Sequence, residues 1–187
     1  METGFKEMKL TEKKLDSTEV FSGRLLNVFK DRVLLPNGME STREYIKHVG
    51  AVAVVAMDNE GRIAVEHQFR YPFMDELMEI PAGKLDYEGE DPLEAAKREL
   101  REETGITASQ FDYLGPFYPT CAYSTEVIHL YFAWDLSFGE RELDEDESIN
   151  FEMIDLSKML QLIFEGKVPD GKTQAAVLQV VARMNAQ

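Results

Sequence analysis

The chain has 187 residues, 44% of them hydrophobic and 29% charged, a composition expected of a folded globular protein large enough for a substantial core. Its formal net charge of −15 argues against a nucleic-acid surface, because no dense Lys/Arg cluster offsets the excess of carboxylates. Cys121 is the only cysteine, which excludes an intrachain disulfide, and the longest apolar run, residues 51–57, is far too short to span a bilayer.

The amino-terminal METGFKEMKLTEKK has no apolar stretch of the kind a signal peptide needs, so a cytoplasmic protein without membrane attachment is expected. Residues 1–17 are charged and expected to fray in part. Residues 20–21, 25–33 and 44–48 read as strands, with Pro36, Asn37 and Gly38 turning between the second and third. Residues 50–57, GAVAVVAM, are apolar on both faces and predict a buried strand. Asp58 to Gly61 supplies turn residues, and residues 62–69 return as the partner strand. A short strand at 77–81 leads into a loop at Gly83.

A helix is predicted next. Asp91 can cap it, Pro92 fits the first helical position, and Glu94 stands where a capping-box partner belongs. Gly105 is a matching stop. Leu93, Ala96 and Leu100 form an apolar stripe, while Glu99 and Glu103 lie one turn apart with Glu102 beside them. Like charges at this spacing disfavour a helix by roughly 0.2–0.5 kcal/mol per pair. A hard divalent cation taking oxygen ligands would reverse that sign; the plain alternative is an acidic solvated face in an acidic chain.

Beyond the helix, residues 117–118 and 126–134 read as strands separated by a loop at 119–125. Residues 138–150 form a strongly acidic loop, and 151–154 a last strand. Helical periodicity covers 156–164 and 173–184, with Trp134 and the tyrosines expected in the core. Strands mixed with a few helices give an α+β layered fold. The organisation expected is an amino-terminal β arm, 1–48, belonging to the same unit as a main domain, 49–187. The spacing of His48, His67 and His129 suggests no metal site, and Cys121 is not expected to act as a nucleophile.

From Glu90 through Arg98, Glu99, Leu100, Arg101, Glu102, Glu103, Thr104, Gly105 and Ile106, the order of residues resembles the Nudix box. One departure is that six residues, not five, separate Gly83 from Glu90, which lengthens a loop and leaves the helix register alone. The flanking HVGAVAVVAM (48–57), EHQFRYP (66–72), EIPAGKLD (79–86), EVIHLYFA (126–133) and GKVPDGKTQAAV (166–177) extend the likeness to the ADP-ribose pyrophosphatase branch. It spans about residues 20–180.

The resemblance implies the Nudix α/β/α sandwich with a mixed sheet, preceded by a small antiparallel β segment of the kind exchanged between subunits of a homodimer. It implies Mg²⁺-dependent hydrolysis of ADP-ribose to AMP and ribose 5-phosphate, with Mn²⁺ a substitute metal. By position, Glu99 and Glu103 are the first metal ligands, Glu102 is next as ligand or as partner to metal-bound water, and the Ala82 carbonyl completes the set. Arg98 holds its neighbouring carboxylates. Arg70 matches a basic residue that reaches the phosphates or ribose, with a surface arginine the other reading. Glu79 either bonds the terminal ribose or pairs with an arginine, and Lys84 is a further substrate-binding candidate or a solvated loop cation. The general base falls in the acidic run 144–147, with Glu147 the first choice and Glu145 the second. Thr120, Cys121 and Ala122 stand where the branch often has Ser-Pro-Gly, which keeps other nucleoside diphosphate sugars and dinucleotides in view as substrates. A non-catalytic nucleotide sensor is the reading of another class.

Overall fold

In the computed structural model, which describes residues 9–143 and 148–186, the chain divides into two units. The first comprises the chain up to His48 together with Thr120–Thr125. Its strands β1 (Lys13–Ser22), β2 (Asn27–Leu34) and β3 (Glu40–Lys47) pair antiparallel in that order, with bulges in β1 between Lys14 and Asp16 and between Glu19 and Phe21. The turn at Pro36–Gly38 is where the sequence puts it, with the Gly38 N–H donating to the Leu35 carbonyl at 2.9 Å. The first strand begins at Lys13, inside the stretch expected to fray, because it has a partner. Asp31 is buried there and accepts from the Ser17 hydroxyl at 2.5 Å and from Lys14 at 3.0 Å. Val20, Phe21, Leu25 and Leu26 are exposed apolar residues of this unit.

The second unit holds β4 (Ala51–Ala56), β5 (Arg62–Arg70), β6 (Asp75–Glu79), β7 (Ala82–Lys84), α1 (Pro92–Thr104), β8 (Ile106–Phe117), β9 (Ile128–Phe138), β10 (Ile149–Asp155), α2 (Leu156–Phe164) and α3 (Gly171–Met184). Its strands form a mixed sheet in the order β7-β4-β9-β8, in which β4 and β9 run parallel, and an antiparallel sheet β10-β5-β6. Every residue of β4 is buried, and strand alternation sends successive side chains to opposite layers. Ala51, Ala53 and Val55 join Met159 and Ile163 of α2 and Ala176, Val177 and Val180 of α3. Val52, Val54 and Ala56 join Ala95, Ala96 and Leu100 of α1. Two apolar layers on either side of the strands make an α/β/α sandwich. Full burial of each large side chain in them is worth about 1.5–3 kcal/mol.

Two expectations need correction. Residues 106–117 are a full strand, β8, antiparallel to β9; its register shifts between Tyr113 and Gly115, and Gly115-Pro116 masks the alternation a strand would otherwise show. Tyr71, Tyr87, Tyr113, Tyr118 and Tyr123 are exposed and lie outside the core. Among the described residues, no helix is long and apolar enough to cross a membrane.

Both ends of α1 follow local chemistry. The Asp91 carboxylate accepts from the Leu93 N–H at 2.8 Å, Pro92 opens the helix, and Gly105 closes it with φ 73°. Glu94 pairs with Lys97 at 2.7 Å, a contact one helical turn along. A Cβ on Gly105 would lie 2.4 Å from the Gly139 carbonyl oxygen, so glycine also permits the end of β9 to close on the helix terminus.

Candidate active site

The last two turns of α1 lie against β7. Glu103 is buried, and its carboxylate accepts the Ala82 N–H at 2.9 Å. Glu99, one turn earlier, reaches Gly83: a Cβ built there would fall 2.0–2.3 Å from the atoms of the Glu99 carboxylate. Two carboxylates at helical spacing therefore converge on two consecutive residues of one strand.

Arg98 gathers most of the remaining carboxylates around itself. It lies 2.7 Å from Glu99, 3.4 Å from Glu102, 3.4 Å from Glu90 and 3.5 Å from Asp86. Partial burial works to lower its pKa, but the charge of Glu99 and the hydrogen bond to it prevail and hold the guanidinium above its ordinary value. Glu102 also meets Arg101 at 3.1 Å. Glu90 accepts the Asp86 N–H at 2.7 Å, so the extra residue before it is taken up in the loop while Glu90 still reaches Arg98.

Gly83, Lys84, Asp86, Arg98, Glu99, Glu102 and Glu142 line a cavity of about 290 Å³. Lys84 is exposed at its rim. Glu142 is a lining residue not among the candidates expected from the sequence: its N–H donates to the Glu102 carbonyl at 3.0 Å, and its carboxylate pairs with Arg101. Its sequence signal is its place in the acidic run 138–150. Glu145 and Glu147 lie outside the described residues.

A second cluster lies on the antiparallel pair β5–β6, where the Arg70 side chain reaches from the end of β5 to Glu79 at the end of β6. Arg70 Nε donates to Glu79 Oε1 and Nη2 to Oε2, both at 2.7 Å, a bidentate pair. Glu79 is 3% exposed and stands opposite Glu66, also buried, across the antiparallel register. Lys172 Nζ donates to the same Oε2 of Glu79 and to Asp170 at 3.0 Å. Burial works to raise the Glu79 pKa, but the hydrogen bond from Arg70 and the charge of Lys172 outweigh it and hold the carboxyl below its ordinary value. Arg70 is held above its own, first by the Glu79 hydrogen bond, with Asp170 and Glu103 adding to the field. The arginine that Glu79 pairs with is Arg70. Lys172 lies within GKVPDGKTQAAV, yet nothing about its spacing marks it.

Among the described residues, no three His, Cys, Asp or Glu side chains gather closely enough to hold a metal ion by themselves. Hard divalent cations can be held by one or two carboxylates together with waters and substrate phosphates. Glu99 and Glu103 offer two hard-oxygen side chains beside the main chain of Ala82 and Gly83. The donor set fits such an ion.

A family profile described as NUDIX domain matches residues 47–175, and one described as nucleoside diphosphate sugar hydrolase N-terminal domain matches residues 12–46. The ADP-ribose pyrophosphatase of Bacillus subtilis (strain 168) is 42% identical over 182 residues, covering 95% of this chain and 98% of that protein. The methanol dehydrogenase activator of Bacillus methanolicus is 45% identical over 172 residues, covering 90% and 92%. The crystal structure of an ADP compounds hydrolase matches with TM-score 0.84 at 22% identity over 97% of this chain and 98% of its own, a likeness of fold.

Proposed function

The chain belongs to the Nudix hydrolase family, and from that premise we propose that it hydrolyses the diphosphate of ADP-ribose to AMP and ribose 5-phosphate. The observation that carries this reading is the convergence of Glu99 and Glu103 on Ala82 and Gly83, in a chain similar over nearly its whole length to an ADP-ribose pyrophosphatase.

Glu99 and Glu103 would hold Mg²⁺, or Mn²⁺ in its place, with the Ala82 carbonyl completing the protein's ligands and Glu102 beside them as a further ligand or as a partner to water. The chemistry such an ion supplies is neutralisation of the diphosphate oxygens and a lowered pKa for the attacking water. In the reaction, the oxygen of water bonds to one phosphorus and the bridging P–O bond breaks. The proton of that water passes to a carboxylate of the acidic loop, Glu147 first and Glu145 second. Arg98 holds Glu99 and Glu102 in place through its ion pairs with them. Arg70 presents its remaining N–H donors to the substrate's anionic groups, steadied by Glu79, and Lys84 adds positive charge at the cavity rim.

The apolar residues exposed on the β1–β3 sheet support a homodimer in which a second copy covers them. A cytoplasmic location completes the reading. The test is a substrate panel containing ADP-ribose, other nucleoside diphosphate sugars and dinucleotides, assayed with and without Mg²⁺ and read by product mass. Turnover of ADP-ribose above the others supports the assignment. A preference for another member corrects the substrate, and binding without turnover identifies a sensor.

A further inference from the structure

Lys172 stands on the first turn of α3 and is 9% exposed, although lysine is rarely buried this far unless paired. Two contacts hold it: Asp170, which also caps the helix through the Thr173 N–H at 2.9 Å, and Glu79. The helix is in turn fixed to the end of β6, because the Ile80 N–H donates to the Thr173 hydroxyl at 3.0 Å. Glu79 and Lys172 each precede a member of that link, so the backbone tie brings their side chains together. Oε2 of Glu79 is thereby shared between Arg70 Nη2 and Lys172 Nζ.

We propose that Lys172 is a positioning residue for Arg70, acting through Glu79. The proposal rests on the reading of Arg70 as a substrate contact. Lys172 is too buried to meet a substrate, whereas the Arg70 side chain is 38% exposed. A carboxylate shared between two cations cannot swing toward either, so the guanidinium plane is fixed from behind. Nε and one N–H of Nη2 are occupied by Glu79, and the remaining donors of the fork are left to face an anion. Because Lys172 takes part of the Glu79 charge, Arg70 keeps more of its own for a diphosphate. Without Lys172, the carboxylate is free to follow Arg70 and to neutralise it more completely.

A double-mutant cycle tests this, using KM and kcat for the substrate that the panel identifies, alongside thermal melts. Lys172→Met is expected to raise KM about five- to tenfold while kcat changes less than about twofold. In an Arg70→Ala background, the same substitution is expected to change KM by less than about twofold. Additive effects on KM, or an unchanged KM in Lys172→Met alone, overturn the proposal. Should Lys172→Met fail to fold, Lys172→Gln keeps the stem and a donor and is held to the same outcomes; failure of both to fold marks a structural residue and also overturns it. An unchanged KM in Arg70→Ala would instead reject Arg70 as a substrate contact, a failure distinct from that of Lys172.

Discussion

The Glu99 carboxylate occupies the volume that a side chain on Gly83 would need. A methyl group there would come within 2.0 Å of the Glu99 carboxyl carbon, so the residue before Lys84 has to be glycine if Glu99 is to stay where it is. Gly83→Ala is therefore expected to lower kcat on the order of a hundredfold, the scale of an ångström's misplacement in a catalytic site. The far-ultraviolet circular dichroism spectrum should be unchanged. Wild-type turnover in this variant would show that the position of Glu99 is not needed.

Glu99→Gln and Glu103→Gln each remove one hard-oxygen charge from the proposed metal site. A ligand that binds only the folded state raises its melting temperature with concentration. The wild-type protein should melt higher as Mg²⁺ is added, and each variant should lose most of that rise. An undiminished Mg²⁺-dependent shift in both variants would place the ion elsewhere.

Glu147→Gln separates proton transfer from metal binding. Turnover should fall about 10²–10⁴-fold, the usual contribution of a general base, while the melting shift with Mg²⁺ persists. Unchanged turnover would pass the role to Glu145 or reject a base in this loop.

The Arg70–Glu79–Lys172 cluster predicts an acid limb in the stability curve. The folded pKa of Glu79 is lowered, so the unfolded chain binds its proton more readily. The stability this contributes is fully present above the unfolded value of 4.5 and is lost as pH falls through the lower folded value. Urea midpoints for the wild-type protein should therefore drop below about pH 4.5. Those of Glu79→Gln, lower at neutral pH, should vary less over the same range. Equal slopes in both proteins would assign the acid sensitivity to other carboxylates.

Much of the fold was legible because strong local signals agreed. The apolar run at 51–56, the Asp91 and Gly105 caps and the periodicity of 156–164 all specify elements that need no distant partner to be recognised. β8 was hidden because its pairing with β9, and not its own pattern, holds it in the sheet. At the site, helical spacing was enough to put Glu99 and Glu103 on one face, whereas the loop expected at Gly83 is the short strand β7, held by its pairing with β4 through Gly83. That the missing side chain of Gly83 makes room for Glu99 could be read only in three dimensions. The contacts of Lys172 and Glu142 are likewise long-range. Lys172 meets a partner 93 positions away and Glu142 one 41 positions away, separations that no local pattern encodes.

The most direct measurement is mass-resolved product analysis of ADP-ribose incubated with Mg²⁺ and either the wild-type protein or the Glu99→Gln/Glu103→Gln double variant. AMP and ribose 5-phosphate from the wild type, with neither from the double variant, is the predicted result; equal amounts from both proteins would contradict it.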